Sequence, residues 1–468
     1  MSDQLVFSES LAYNQVKRRA VSARSFRVKL PASNSTTFAG GDTAVIDLPG
    51  NLSGQYYNAN QMYMLVTVTP SVDCKLDRGG ALGLINRLQI STAGANIFDL
   101  NHYGLLATAL MDADATSEYK AGYGSLMLGT IGDALTGEDL VANVPRTFAI
   151  PMVLNPLALT TPHRLIPAFG LSAIQMRISF DSMASSFVSD GTGTVAFTDV
   201  QMVCLMTQLS ASAQAEVDRS TGGFYKILAT SFQNATATLD AQQTNLTAPL
   251  GFSVSSLERI LLIHRPQVSS TLASAYSLGN RASAGLTQFN FSINGESFPQ
   301  RPINVTASAT QTPAEVVAEM LIADHALVDF KKGCSLSNGY APITGNVAVG
   351  QSALSGVAPN SVKSKPFNVE SGTGLSAGIV GDVATASLPS DIGTFICSVE
   401  FESGISDGKS ATIYSGISTL ASQVQLIAQY APRVASGTNV AYSIDAFAQY
   451  SIIMSLDMRG SGVFAVSV

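Results

Sequence analysis

The residues that could do chemistry are few and scattered. One G-x-S-x-G string occurs, Gly374-Leu375-Ser376-Ala377-Gly378. A serine nucleophile for acyl transfer needs a strand before it and a helix after it. Here the serine sits in a Gly/Ser-rich stretch with neither pattern, and chance accounts for the match. Gly408-Lys409-Ser410 copies the end of a phosphate-binding loop, but the nearest upstream glycine, Gly404, is one residue too close and no helical pattern follows. It reads as a turn. The four histidines, His102, His163, His264 and His325, fall on separate predicted elements, without H-x-x-x-H or H-E-x-x-H spacing. The cysteines Cys74, Cys204, Cys334 and Cys397 lie far apart with no C-x-x-C. Three of them stand in or beside apolar runs and read as buried free thiols. Paired carboxylates for glycoside hydrolysis must stand about 5 to 10 Å apart, a spacing that sequence does not encode. The chain has no tryptophan and 7% aromatic residues, which weakens stacking sites for sugars or single strands. We therefore expect no enzyme, with no catalytic, cofactor-binding or metal residues and no cofactor.

One concentration of charge remains. Over Met1 to Lys29, Lys17, Arg18, Arg19, Arg24, Arg27 and Lys29 outnumber Asp3 and Glu9. Such a terminus is either a solvated tail or an arm that reaches a phosphate-rich or neighbouring-subunit surface. The candidate arm residues are Lys17, Arg18, Arg19 and Arg24. The net charge of -7 argues against a nucleic-acid surface over the whole protein.

Composition sets the frame for these residues. At 468 residues the chain is too long for one ordinary domain. It is 46% hydrophobic and only 13% charged, about half the usual charged fraction. So little charge suggests extensive burial, some of it between subunits. Met1 to Ala20 lacks the apolar core of a secretory signal. No apolar run approaches the ~20 residues that cross a bilayer. The expectation is a protein made in its cell without signal peptide or transmembrane segment.

The elements are mostly strands. Phe26, Val28 and Leu30 alternate with charged residues until Pro31. Further strand patterns cover Ala44 to Leu48, Tyr63 to Thr69, Ala81 to Ile90, Ala95 to Leu100, Thr147 to Leu154, Ala173 to Phe180 and Val195 to Met206. Helical spacing shows over Asn101 to Ala113, and Thr116 to Val141 reads as a long loop. After the midpoint, strands are expected at Phe224 to Phe232, Thr236 to Leu239, Leu257 to His264, Gln288 to Ile293, Phe298 to Ile303, Phe395 to Phe401, Val424 to Tyr430, Tyr442 to Leu456 with a break, and Gly462 to Val468. Asn294-Gly295 is a strong hairpin signal. Thr312, Pro313 and Glu315 mark a capped helix with an apolar face running to about Val328. Gln267 to Ser283 and Gly333 to Leu388 read as exposed loops. Many short strands with one helix per half call for a β-sandwich or barrel in each half.

Thr207 to Gly223 divides the two halves. It has no apolar stripe, it is rich in small and polar residues, and two glycines close it. Ala211 to Arg219 could form a short polar helix. The resulting plan is a basic arm over 1–24, a first β domain over 25–209, a linker over 210–222 and a second β domain over 223–468.

Three segments carry a resemblance. They are Phe148 to Asp181, Phe289 to Ile303 and Phe395 to Leu426 with its SGIST stretch at Ser415 to Thr419. In their order and spacing they resemble the double jelly-roll major capsid proteins of tailless icosahedral viruses, the adenovirus- and virophage-like lineage. The long stretch Gly333 to Leu388 departs from that pattern. The resemblance implies an all-β chain of two tandem eight-stranded antiparallel jelly rolls, with short helices between strands. It implies a capsid protein of the virion that forms homotrimers of pseudo-hexameric outline and tiles an icosahedral shell. The partners it implies are neighbouring capsomers and minor capsid or penton proteins, with no small-molecule substrate. The arm would face inward, towards membrane or genome. The alternatives are another adhesive or surface-binding β-sandwich protein and, behind it, a carbohydrate-active enzyme.

Overall fold

A computed structural model describes residues 23–327 and 392–467, apart from 93–94, 133–135, 161–162, 170, 172, 189–192, 268–277, 279–280, 306–313, 325–326, 394, 403–415, 432–440 and 458–462. The first half begins with β1 Ala23–Pro31, β2 Thr37–Ala39, β3 Thr43–Leu48, β4 Gln55–Pro70 and β5 Cys74–Asp77. After a 3-10 turn over Gly80–Leu84 come β6 Ile85–Thr92, β7 Ala95–Asn101 and helices α1 Tyr103–Asp114, α2 Ser117–Ala121 and α3 Tyr123–Leu128. β8 Thr136–Leu140, β9 Arg146–Pro151, β10 Ile166–Pro167, β11 Ile174–Phe180, α4 Met183–Ser186, β12 Phe187–Val188 and β13 Val195–Leu209 complete it. Helix α5, Ala211–Thr221, joins the halves. Then follow β14 Phe224–Leu239, β15 Asn245–Leu250, β16 Leu257–Pro266, β17 Arg281–Ala282, β18 Leu286–Ile293 and β19 Glu296–Asn304. After α6 Ala314–Ala323 come β20 Ile392–Gly393, β21 Cys397–Glu400, β22 Val424–Tyr430, β23 Tyr442–Asp457 and β24 Val463–Ser467.

The two halves share one strand permutation. In the first, β1, β3, β4, β6, β7, β9, β11 and β13 are eight frame strands in chain order. They form one sheet in the order first, eighth, third, sixth (β1-β13-β4-β9) and a second in the order second, seventh, fourth, fifth (β3-β11-β6-β7). In the second half the eight are β14, β15, β16, β18, β19, β21, β22 and β23. Their sheets, β14-β23-β16-β21 and β15-β22-β18-β19, repeat those orders. Every frame pairing is antiparallel. Two four-stranded sheets closed over one core in this order make a jelly roll.

Local sequence accounts for the pairing. In β11 the residues Ile174, Met176, Ile178 and Phe180 are buried and alternate with Gln175, Arg177 and Ser179. Opposite, β3 buries Ala44, Ile46 and Leu48. Each large inward side chain contributes up to about 1.5–3 kcal/mol of burial, and a one-residue slip would turn all of them to water. At Asn294 and Gly295 φ is 54° and 85°, the paired positive values of a tight two-residue hairpin, which asparagine and glycine accept most readily.

Several local expectations are corrected. The loop expected at 116–141 contains α2, α3 and β8; the segment is short in apolar periodicity, but Thr116 caps α2 by accepting from the Tyr119 amide. β14 runs unbroken from Phe224 to Leu239, and β23 runs without the expected break because the two strands pair residue for residue along their whole length. α6 stops at Ala323 rather than near Val328. The expected capping partner Thr312 lies outside the described residues, and the Glu315 carboxylate instead accepts from the Asn304 amide. Ser376, Lys409, Cys334, His325 and the loop at Gly333 to Leu388 also lie outside them.

Candidate functional site

The most elaborated region is the seam where the two rolls meet side by side. It has three levels. At one end, the connections between the third and fourth frame strands (71–84) and between the fifth and sixth (102–145) carry Arg78, α1 and α2. Asp112 on α1 is fully buried there. Its carboxylate accepts from Arg78 Nε at 2.9 Å, from Lys120 Nζ on α2 at 2.6 Å, and from Arg281. Arg281 comes from β17, in the second roll. It is as buried as Asp112, so a side chain of the second roll reaches the interior of the first. Burial alone would push the Asp112 carboxyl up; the cations of Arg78, Arg281 and Lys120 overcome this and hold it well below the usual carboxylate range. Next to it, the Leu278 amide of the second roll donates to Asp77 Oδ2 at 2.7 Å, and the Leu278 methyl fills the space over Gly83. A Cβ on Gly83 would stand 2.4 Å from that methyl carbon.

At the middle level, His102 precedes α1 in a left-handed conformation with φ 54°. Its Nε2 lies 3.9 Å from the buried carboxylate of Asp445 in β23. Asp445 also accepts from Arg265 and from Thr236 Oγ1 at 3.0 Å. Burial lowers the His102 pKa, with Arg265 acting in the same direction and Asp445 and Asp181 opposing. At the lower level the contact is apolar. Ile97, Leu157, Ile166 and Leu171 of the first roll line a crevice against Tyr225, Ile227, Met454 and Leu456 of the second. The Phe169 ring stands edge-on between Tyr56 and Tyr225, and the Tyr56 hydroxyl donates to Gln214 on α5. Buried apolar side chains from both halves form one continuous core. The division between rolls is therefore one of topology, not of packing.

The expected arm residues are placed only in part. Lys17, Arg18 and Arg19 lie outside the described residues. Arg24 is in β1, where its Nε donates to Gln208 at 2.7 Å and its guanidinium lies over the Phe26 ring. β1 starts opposite Leu209, the last residue of β13. The Asp112 cluster sits at the other end, where β4 ends opposite the start of β13. The basic segment thus enters the first roll at the end opposite the elaborated loops.

The remaining candidates for chemistry do not converge. His264 is buried, with Nε2 3.0 Å from the Tyr430 hydroxyl, and His163 is far from it on the Asn60 side chain. Cys74, Cys204 and Cys397 are free and buried. Burial pushes the first two thiols up to about 12, and Cys397 well above its ordinary value. Among the described residues no group of three or more His, Cys, Asp or Glu stands close enough to hold a metal ion. Among them, too, no helix is long and apolar enough to cross a membrane.

No protein-family model matches the chain, and no curated protein does. Solved structures do. PBCV-1 VP54, fitted into a cryo-EM reconstruction of the virophage Sputnik, superposes with a TM-score of 0.56 at 10% identity over 97% of this chain and 99% of that one. The chain has the double jelly-roll fold of viral major capsid proteins. The Faustovirus major capsid protein matches with a TM-score of 0.57 at 8% identity, over 95% of this chain and 92% of that one. The mavirus major capsid protein matches at 0.52 and 11%, over 99% and 95%. The double jelly-roll fold is thus shared with these structures at about 10% sequence identity. The seam roles of Asp112, Arg281 and Asp445 escaped sequence reasoning, and His102, considered there only as a possible metal ligand, was not placed at the seam. For Asp112 a signal existed: one acid inside the run Leu105 to Ala113, whose one other polar residue is Thr108. For Arg281, in an Ala/Ser-rich loop, there was none.

Proposed function

We propose that this chain is a major capsid protein, a non-enzymatic building block whose homotrimers, of six-lobed outline, tile an icosahedral shell in the virion. The observation that carries this reading is the seam. Two rolls of identical strand order share a continuous core and a buried ionic cluster, so they pack as one double unit, the shape a shell tile needs. Architectural identity with capsid proteins over nearly the full length supports the same conclusion, as does the low charge of the chain. Functionally, we divide the chain into an arm over 1–24, a first roll over 25–209, a connector over 210–222 that contains α5, and a second roll over 223–468.

The neighbours in the shell would be other capsomers and minor capsid proteins. The arm, with Lys17, Arg18 and Arg19, would point inward, because β1 begins at the end opposite the elaborated loops, and would meet an anionic lipid or genome surface there; Arg24 stays in the sheet as part of β1. Light scattering on the purified chain tests the reading. A mass of three times the 48.8 kDa chain, or shell-sized particles, supports it. A stable monomer at all concentrations overturns it. Removing residues 1–22, ahead of β1, should leave that mass unchanged and weaken binding to anionic vesicles or nucleic acid. Unchanged binding removes the role of the arm.

A further inference from the structure

We propose that His102 is a proton-operated catch on the seam: neutral, it sits against Asp445 of the second roll, and on taking up a proton it leaves that gap and loosens the middle of the seam. The catch belongs to the single chain, so it goes beyond the shell reading and does not depend on it. The argument starts from what faces the ring. Its side chain is 37% exposed, so protons reach it, and the rest lies in the gap between the rolls. Among the described residues three charged groups act on it, each from a different part of the fold. Asp445 comes from β23 and Arg265 from β16, both in the second roll, and Asp181 follows β11 in the first. His102 itself leads into α1, its carbonyl accepting from the Leu106 amide at 3.2 Å.

Both acids are already engaged. Arg265 holds Asp445 Oδ2 through Nε at 2.8 Å and Nη2 at 2.6 Å, and Thr236 on β14 donates to Oδ1 at 3.0 Å. His102 Nε2 stands 3.9 Å from that carboxylate, beyond hydrogen-bond reach. Asp181 accepts from the Ser182 amide at 2.8 Å. A charge on the ring also meets the positive end of the α1 dipole, the Arg265 guanidinium and the loss of hydration in the gap. Burial is the largest influence, and with Arg265 it holds the His102 pKa below its ordinary value against the pull of Asp445 and Asp181. The backbone adds to the imbalance, since its left-handed φ of 54° costs a residue with a Cβ. The sign follows by linkage. The released ring binds a proton near the ordinary histidine pKa of about 6.5, the held ring only at lower pH. Falling pH therefore favours release from about 6.5 down to the lowered value, and no further.

The test is hydrogen exchange on the full chain, with two readouts. Exchange at the ring Cε1–H of each histidine, read by mass spectrometry, gives the His102 pKa and needs no variant; a value below about 6.5 is expected. Amide exchange compared between pH 7.5 and pH 5.5, corrected for its intrinsic pH dependence, then reads the seam. Peptides over 102–108 and 441–447 should lose protection as pH falls, by up to about tenfold per pH unit, the limit for one proton. A peptide over β18, an inner strand of the second roll's other sheet, should keep its protection. His102→Asn stays neutral at both pH values and accepts a left-handed backbone, so its seam protection should not change with pH. A His102 pKa at or above the ordinary value, seam peptides with the same protection at both pH values, or an equal loss in His102→Asn would each overturn the proposal. None of these outcomes bears on whether chains associate, so the shell reading stands or falls separately.

Discussion

Replacing Asp112 by asparagine should destabilise the chain far more than any surface charge change. The carboxylate is shared by three cations, and the side chains of Asp112, Arg78, Lys120 and Arg281 are at most 2% exposed. Removing one partner of a single buried ion pair costs about 3–5 kcal/mol, because the other charge stays buried without it. With three cations on one carboxylate, the upper end, about 5 kcal/mol, applies. At about 2.1 cal/mol/K per residue, the unfolding entropy of 468 residues is ~1 kcal/mol/K. The melting midpoint should then fall by ~5 °C if the rolls melt together, and by more than ~10 °C if the first roll melts alone. Differential scanning calorimetry at pH 7 reads this directly. The matched control is Glu216→Ala on α5, which breaks an exposed pair with Arg219 and should shift the midpoint by under about 1 °C. An Asp112→Asn midpoint as close to wild type as that of the control would refute the reasoning that this cluster pins the seam.

Three further outcomes follow from the same packing. His102 has its pKa lowered by burial, so the unfolded chain takes up that proton first; the stability it contributes is intact above about pH 6.5 and is lost as pH falls below it. Asp181, raised by its own burial, acts in the opposite sense at lower pH. Thermal midpoints between pH 7 and 5.5 should therefore fall in the wild type and fall less in His102→Gln, and equal slopes would contradict the assignment. Against a thiol reagent at pH 8 the native chain should expose at most Cys334 to rapid reaction, with all four cysteines reacting in denaturant; two fast thiols would contradict the burial of Cys74, Cys204 and Cys397. Gly416→Ala would place a Cβ 2.1 Å from the Leu257 carbonyl oxygen and should part the bridge between Leu257 and Ile417, lowering the yield of folded protein; a normal yield and an unchanged midpoint would show that the backbone there is free to move.

Much of the frame was legible because it rests on local pattern. The alternation of Ile174 to Phe180, the hairpin at Asn294-Gly295 and the polar run Ala211 to Arg219 each specify an element from neighbours in sequence. α5 shows this well: Ser210 caps it by accepting from the Ala213 amide, and none of its residues is buried. What failed was set by distant partners. β23 keeps pairing through Ser451 because β14 lies alongside it, although its own pattern weakens there. Leu278 and Arg281 sit in a stretch with no periodicity, and only the first roll makes them interior residues. The seam is thus tertiary in origin, and a single sequence carried no sign of which loop would cross it.

Imaging the assembled protein tests the central claim most directly. Two-dimensional averages of the purified chain in negative stain should show rings with six lobes of similar size, two from each of three copies. Averages that show isolated two-lobed particles, or assemblies without that outline, would contradict the reading of this double jelly roll as a shell tile.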